Sequence, residues 1–132
     1  MKYLFLLQTA DDGPPAPGSP EGQQMYDDYQ AALREMARAG VLLGCAPLQG
    51  ASLATTVRVR DGQAMLTDGP AAELKEQVGG YTLVDCADLD QAVHFAAMLP
   101  AAKAASVEVR AVVDTGGGAQ AVAAVRTTGV PS

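Results

Sequence analysis

Between residues 55 and 86 the chain changes its hydrophobic period twice. Val57 and Val59 alternate with Thr56, Arg58 and Arg60, and a period of two marks a strand with one buried face. Asp61-Gly62 follows. These residue types accept the positive φ that a two-residue hairpin turn demands, so residues 64–67 are expected to return as the partner strand. Asp68-Gly69-Pro70 ends that strand sharply. Residues 73–77 form a short polar segment. Gly79-Gly80 then releases the chain into a third strand over residues 81–86.

The flanking segments supply the other elements. Residues 2–8 are apolar enough for a central strand buried on both faces. Residues 9–18 hold Asp11-Asp12-Gly13 and several prolines, and read as a loop. Ser19-Pro20-Glu21 predicts a helix start, with serine as N-cap, proline at the first helical position and an acid in the first turn. Met25, Tyr29, Ala32, Leu33 and Met36 then make one apolar face. Asp27, Asp28, Gln30, Arg34, Glu35 and Arg38 make the other, and Gly40 closes the helix. Residues 41–45 are a short apolar strand. A second helix is expected after Asp88 as its N-cap, with Leu89, Ala92, Val93, Ala96 and Leu99 as core stripe and Pro100 as stop. Residues 107–113 alternate again and make the last strand.

The order β-α-β-hairpin-β-α-β is α+β. It predicts a ferredoxin-like βαββαβ fold with an extra β-hairpin. Both helices should cover one sheet face. Leaving the other face bare costs roughly 25 cal/mol per Å² of apolar surface, so a second copy of the chain is expected there, as a homodimer.

Composition narrows the partners. The chain has 132 residues, 48% of them hydrophobic, and a net charge of −6. That is one domain with a real core. Its acidity disfavours nonspecific binding to nucleic acid or acidic membrane. No apolar stretch reaches the length of a membrane span. The short apolar run after Lys2 is a strand rather than a signal peptide, so a cytoplasmic setting is expected. Cys45 and Cys86 each close an apolar run and read as buried, reduced thiols. Residues 1–114 form the domain, and residues 115–132, opening with a glycine run, form an appendage.

Several motifs of the central stretch point to a family. T-x-R-x-R-D-G at residues 56–62, T-D-G-P at 67–70, the K-E-Q of 75–77 and the G-G-Y of 79–81, followed by the acidic start of the second helix, resemble the YCII-related, DGPF-domain proteins. The namesake tetrapeptide here ends in Ala71 instead of phenylalanine. The resemblance implies a dimeric α/β barrel. It also implies association with extracytoplasmic-function (ECF) sigma factors, hence an alternative role as a non-catalytic protein–protein or regulatory module. The better characterised relatives carry a His–Asp pair for acid–base work, in the first-helix region and just before the proline ending the second helix. Here the first helix has no histidine and Leu99 precedes Pro100. A glutamate common after the second strand is replaced around Ala46 and Pro47.

Chemistry-bearing residues are otherwise sparse. His94 is the sole histidine and reads as a surface residue of the second helix. No catalytic residue is assigned, and no metal or cofactor is expected. Asp68, Glu73 and Lys75 surround the Asp-Gly-Pro turn, a loop with rigid ends that presents polar groups at low entropic cost. With Tyr81, which follows the double glycine, they are the candidate ligand-binding residues. Within the turn itself, Asp68 is expected to accept backbone N–H bonds. The function expected is a dimeric small-molecule-binding domain with its pocket near this segment.

Overall fold

In a computed structural model, residues 1–10 and 15–114 are described. The proposed appendage at 115–132 and most of the acidic part of the first loop lie outside them. The strands are β1 (Lys2–Ala10), β2 (Leu42–Pro47), β3 (Thr55–Arg60), β4 (Gln63–Asp68), β5 (Glu76–Asp85) and β6 (Val107–Ala111). The helices are α1 (Pro20–Arg38), α2 (Leu89–Ala96) and a short α3 (Pro100–Ala104). Four strands form an antiparallel sheet in the order β2-β5-β1-β6, and β3 pairs with β4 as a separate hairpin. That order, with two crossovers over one face, is the ferredoxin-like fold. The hairpin is inserted between β2 and β5.

Local chemistry explains the boundaries. The Ser19 hydroxyl accepts the Gly22 N–H at 3.0 Å and caps α1. Asp88 does the same for α2, accepting the Gln91 N–H at 2.9 Å. Each satisfies a donor that the first helical turn leaves without a backbone partner. Asp61 and Gly62 both have positive φ, 53° and 76°, as a two-residue turn matching strand twist requires.

The core lies between the sheet and its helices. Tyr3, Phe5 and Leu7 on β1 alternate with half-buried Leu4 and Leu6, and meet Leu33 and Met36 of α1 and Phe95 and Leu99 from the α2 region. β1 is thus central, as its composition predicts, but the described helices cover only one of its faces. On the open face Leu4 stands opposite Leu83 and Leu6 opposite Tyr81. Glu108 and Arg110 of β6, paired at 3.5 Å, edge that face.

Several expectations need correction. The hairpin strand β3 has no buried valine face, since Val57 and Val59 are 59% and 60% exposed. The stripe of α2 is Ala92, Phe95, Ala96 and Leu99, while Leu89 and Val93 are 54% and 50% exposed. The large Phe95 ring wins the buried side because it removes more apolar area from water than valine does. Pro100 does not end α2, which stops at Ala96; it opens α3, where its missing N–H is harmless. Finally, β5 begins at Glu76 and runs through Gly79-Gly80. The ladder steps there: Leu7 faces Gly80 and Gln8 faces Val78, leaving Gly79 as the extra residue of a β-bulge. A Cβ on Gly79 would stand 2.5 Å from Thr9 Cγ2, so a larger residue at this point would force the Thr9 side chain to turn aside.

Candidate functional site

The sequence-predicted site residues line neither of the two cavities beside α1. Asp68 is exposed at the end of β4, and Glu73 and Lys75 are exposed in the following loop. Tyr81, 37% exposed, projects from the uncovered sheet face. The corner is held by other groups. Thr56 Oγ1 donates to the Gly69 carbonyl at 2.8 Å, and the Gly69 N–H donates to the Ala54 carbonyl at 2.7 Å. Gln77 Nε2 donates to the Ala72 and Leu74 carbonyls and ties down the loop. Among the described residues none donates to the Asp68 carboxylate, so the expected side-chain cap is absent. The turn's stiffness comes from Thr56, from Pro70 and from Gly69 at φ 96°.

The cavity with the greater enclosure is elsewhere. A cleft of about 790 Å³ opens where the end of β1, the bulged start of β5 and the end of β2 meet α1 and α3. Leu7, Met25, Tyr29, Leu48, Pro100 and Ala101 supply much of its wall. Gly80 is buried on its floor, and a Cβ there would stand 3.1 Å from the Ala46 carbonyl. The bulge therefore shapes this space as well as the ladder. A second, more open groove of about 830 Å³ runs between α1 and α3, lined by Glu21, Asp28, Glu35 and Lys103 around Met98. None of Asp68, Glu73, Lys75 or Tyr81 lines either one.

Beneath the cleft lies a small polar cluster. Tyr29 stands on the cleft wall with its hydroxyl buried, beside Thr82 of β5 and Cys45 of β2. Thr82 and Cys45 are cross-strand neighbours. The Tyr29 and Thr82 hydroxyls are neighbours, but neither makes a hydrogen bond of good geometry. Burial, with Cys45 as a second influence, pushes the Tyr29 pKa up against a smaller downward pull from Thr82, so the phenol is neutral and serves as a donor rather than a base. Cys86 is buried and Cys45 half-buried, both free. Burial, reinforced by Asp85, pushes the Cys86 thiol up as well.

Leu99, at the position where the resemblance implies an acid in relatives, is fully buried in the apolar core, and Pro100 after it lines the cleft. His94 is exposed and touches only the edge of Phe95, with ring centroids 5.2 Å apart. These placements bring no acid–base pair to the cleft wall among the described residues. Glycine spacing and the prolines around it were the only sequence signals of the cleft, and neither says that chain segments so far apart meet there.

Fold and cleft define a ferredoxin-like α+β domain with a cavity at the end of its sheet beneath the first helix. The chain belongs to the family of the YCII-related domain, which it matches over residues 1–115. It is 37% identical to an uncharacterised protein of Rhizobium meliloti (strain 1021) over 96 residues, 73% of this chain and 77% of that one. Among solved structures it is similar to 5-chloro-2-hydroxyhydroquinone dehydrochlorinase from Burkholderia phenoliruptrix AC1100, determined in complex with 2,5-dihydroxybenzoquinone. That similarity has a TM-score of 0.44 and 20% identity over 86% of this chain and 94% of the other. At that level neither activity nor ligand transfers. No helix of the described residues is long and apolar enough to cross a membrane.

Proposed function

We propose that this chain is a small-molecule-binding domain that works as a homodimer, with its ligand in the cleft between α1, α3 and the sheet end. The cleft itself carries the reading. Its volume of about 790 Å³ falls within the roughly 300–1,000 Å³ of small-molecule sites, and its walls are mainly apolar with a few polar groups, as such sites are. This puts the ligand away from the Asp-Gly-Pro segment, whose exposed Asp68, Glu73 and Lys75 line neither the cleft nor the outer groove.

The dimer rests on the open sheet face. Leu4, Leu6, Leu83 and Tyr81 form two cross-strand apolar pairs there, with no helix of the described residues over them. A second copy applied face to face removes that surface from water and leaves the clefts under the helices accessible. A monomeric mass by light scattering at micromolar concentration would remove this part of the proposal.

A thermal-shift screen of neutral and charged small molecules tests the cleft, since a ligand that binds only the folded state raises the Tm. Ala104→Trp adds bulk at an exposed α3 position that the cleft shares with the outer groove, and should erase the shift of a hit bound in the cleft. Glu73→Ala and Lys75→Ala should leave it intact. The opposite pattern returns the site to the polar loop.

A further inference from the structure

We infer that the cleft admits uncharged, largely apolar molecules and turns away their ionised analogues; this rests on the cleft being the ligand site. Its described lining contains no aspartate, glutamate, lysine, arginine or histidine. The chain as a whole is 18% charged, so an uncharged wall of this extent is a property of the cleft and not of the composition.

α1 shows how the separation is made. Glu21, Asp28 and Glu35 fall on the outer groove, while Gly22, Tyr26 and Tyr29 fall on the cleft, with Met25 shared between them. The helix sorts charge to one side and aromatic rings to the other. Pro15, Pro17, Pro47 and Pro100 also line the cleft. Proline has no N–H, so these positions offer an anion none of the backbone donors that build anion-binding concavities. The Tyr29 phenol is held neutral by burial. An ion entering here loses water and meets no opposite charge on the described lining, which favours the neutral molecule. The two tyrosine rings and Met25 suit a flat, polarizable ligand of aromatic type.

Three naphthalene probes of nearly equal size test this at pH 7: neutral 2-naphthol, anionic 2-naphthoate and cationic 2-naphthylmethylammonium, titrated by fluorescence. The neutral probe is expected to bind at least about tenfold more tightly than either ion, and Ala104→Trp to abolish its binding. Leu48→Lys adds a cation at a wall residue that is 51% exposed, and should raise the affinity for naphthoate relative to that for 2-naphthol. An ion bound as tightly as 2-naphthol overturns the inference and leaves the site standing. Neutral binding that survives Ala104→Trp overturns it too, because the probe then sits elsewhere. If no probe binds, the charge of the screen's own hits decides, and a screen without hits ends both readings.

Discussion

Thr82→Val is expected to make this protein more stable. Thr82 is fully buried on the helix-covered face of β5, and its hydroxyl, although beside that of Tyr29, makes no hydrogen bond of good geometry. Folding strips Oγ1 of water without replacing the bond, a loss of about 1–3 kcal/mol in protein mutational data. Valine keeps the branched shape and strand preference and deletes the unpaired group. Its extra methyl volume takes back part of the gain. The net expectation is about 1 kcal/mol of stabilisation, or a Tm higher by about 3–5 °C for a domain of this size. Tyr29→Phe removes the neighbouring unpaired hydroxyl and should likewise cost nothing. Urea unfolding of the wild type, both single variants and the double variant closes a thermodynamic cycle. With both hydroxyls unpaired, the double variant is at least as stable as either single. A hydrogen bond between them in solution gives the reverse: each single loses about 0.5–1.5 kcal/mol and the double loses no more than one single. That result would refute the reasoning.

Two further outcomes follow from burial. Phe95→Ala should cost about 3–5 kcal/mol, as for other buried phenylalanines, whereas Val93→Ala, at a half-exposed position, should stay within about 0.5 kcal/mol; chemical denaturation that ranks Val93 above Phe95 would restore the stripe expected from sequence. Stability should also fall as pH rises above 9.0, the ordinary value for the Cys86 thiol. The folded pKa is raised, so this contribution is fully present below the unfolded pKa and is lost as pH climbs through the folded one. Cys86→Ala should flatten the decline in the first unit above pH 9, and an unchanged slope would show that the thiol is not its source.

Local signals were legible because their causes are local. Ser19 and Asp88 cap their helices through contacts three residues away. Asp61-Gly62 makes its turn from the φ preferences of those two residues alone. The element order, and with it the ferredoxin-like topology, followed from such signals. So did the buried state of Met36 and the free state of both cysteines.

The rest depended on what each element meets. Ala92, Ala96 and Leu99 belong to both possible stripes of α2, and only the position of the sheet decides whether Phe95 or Val93 joins them. Gly79-Gly80 reads as a break in sequence, because glycine interrupts strands by propensity. In the fold it is the bulge that lets β1 and β5 stay paired past Leu7. The candidate site shows the limit most clearly. Asp68, Glu73 and Lys75 were conspicuous because they are polar and close together in the chain, and they stand exposed in solvent. The cleft joins Leu7, Tyr29, Pro47, Gly80 and Pro100, residues scattered over most of the domain and individually ordinary. Sequence alone determined the elements and their order through interactions a few residues long. Which face each element buries, and the cleft they enclose together, came from long-range packing of the crossovers onto the sheet.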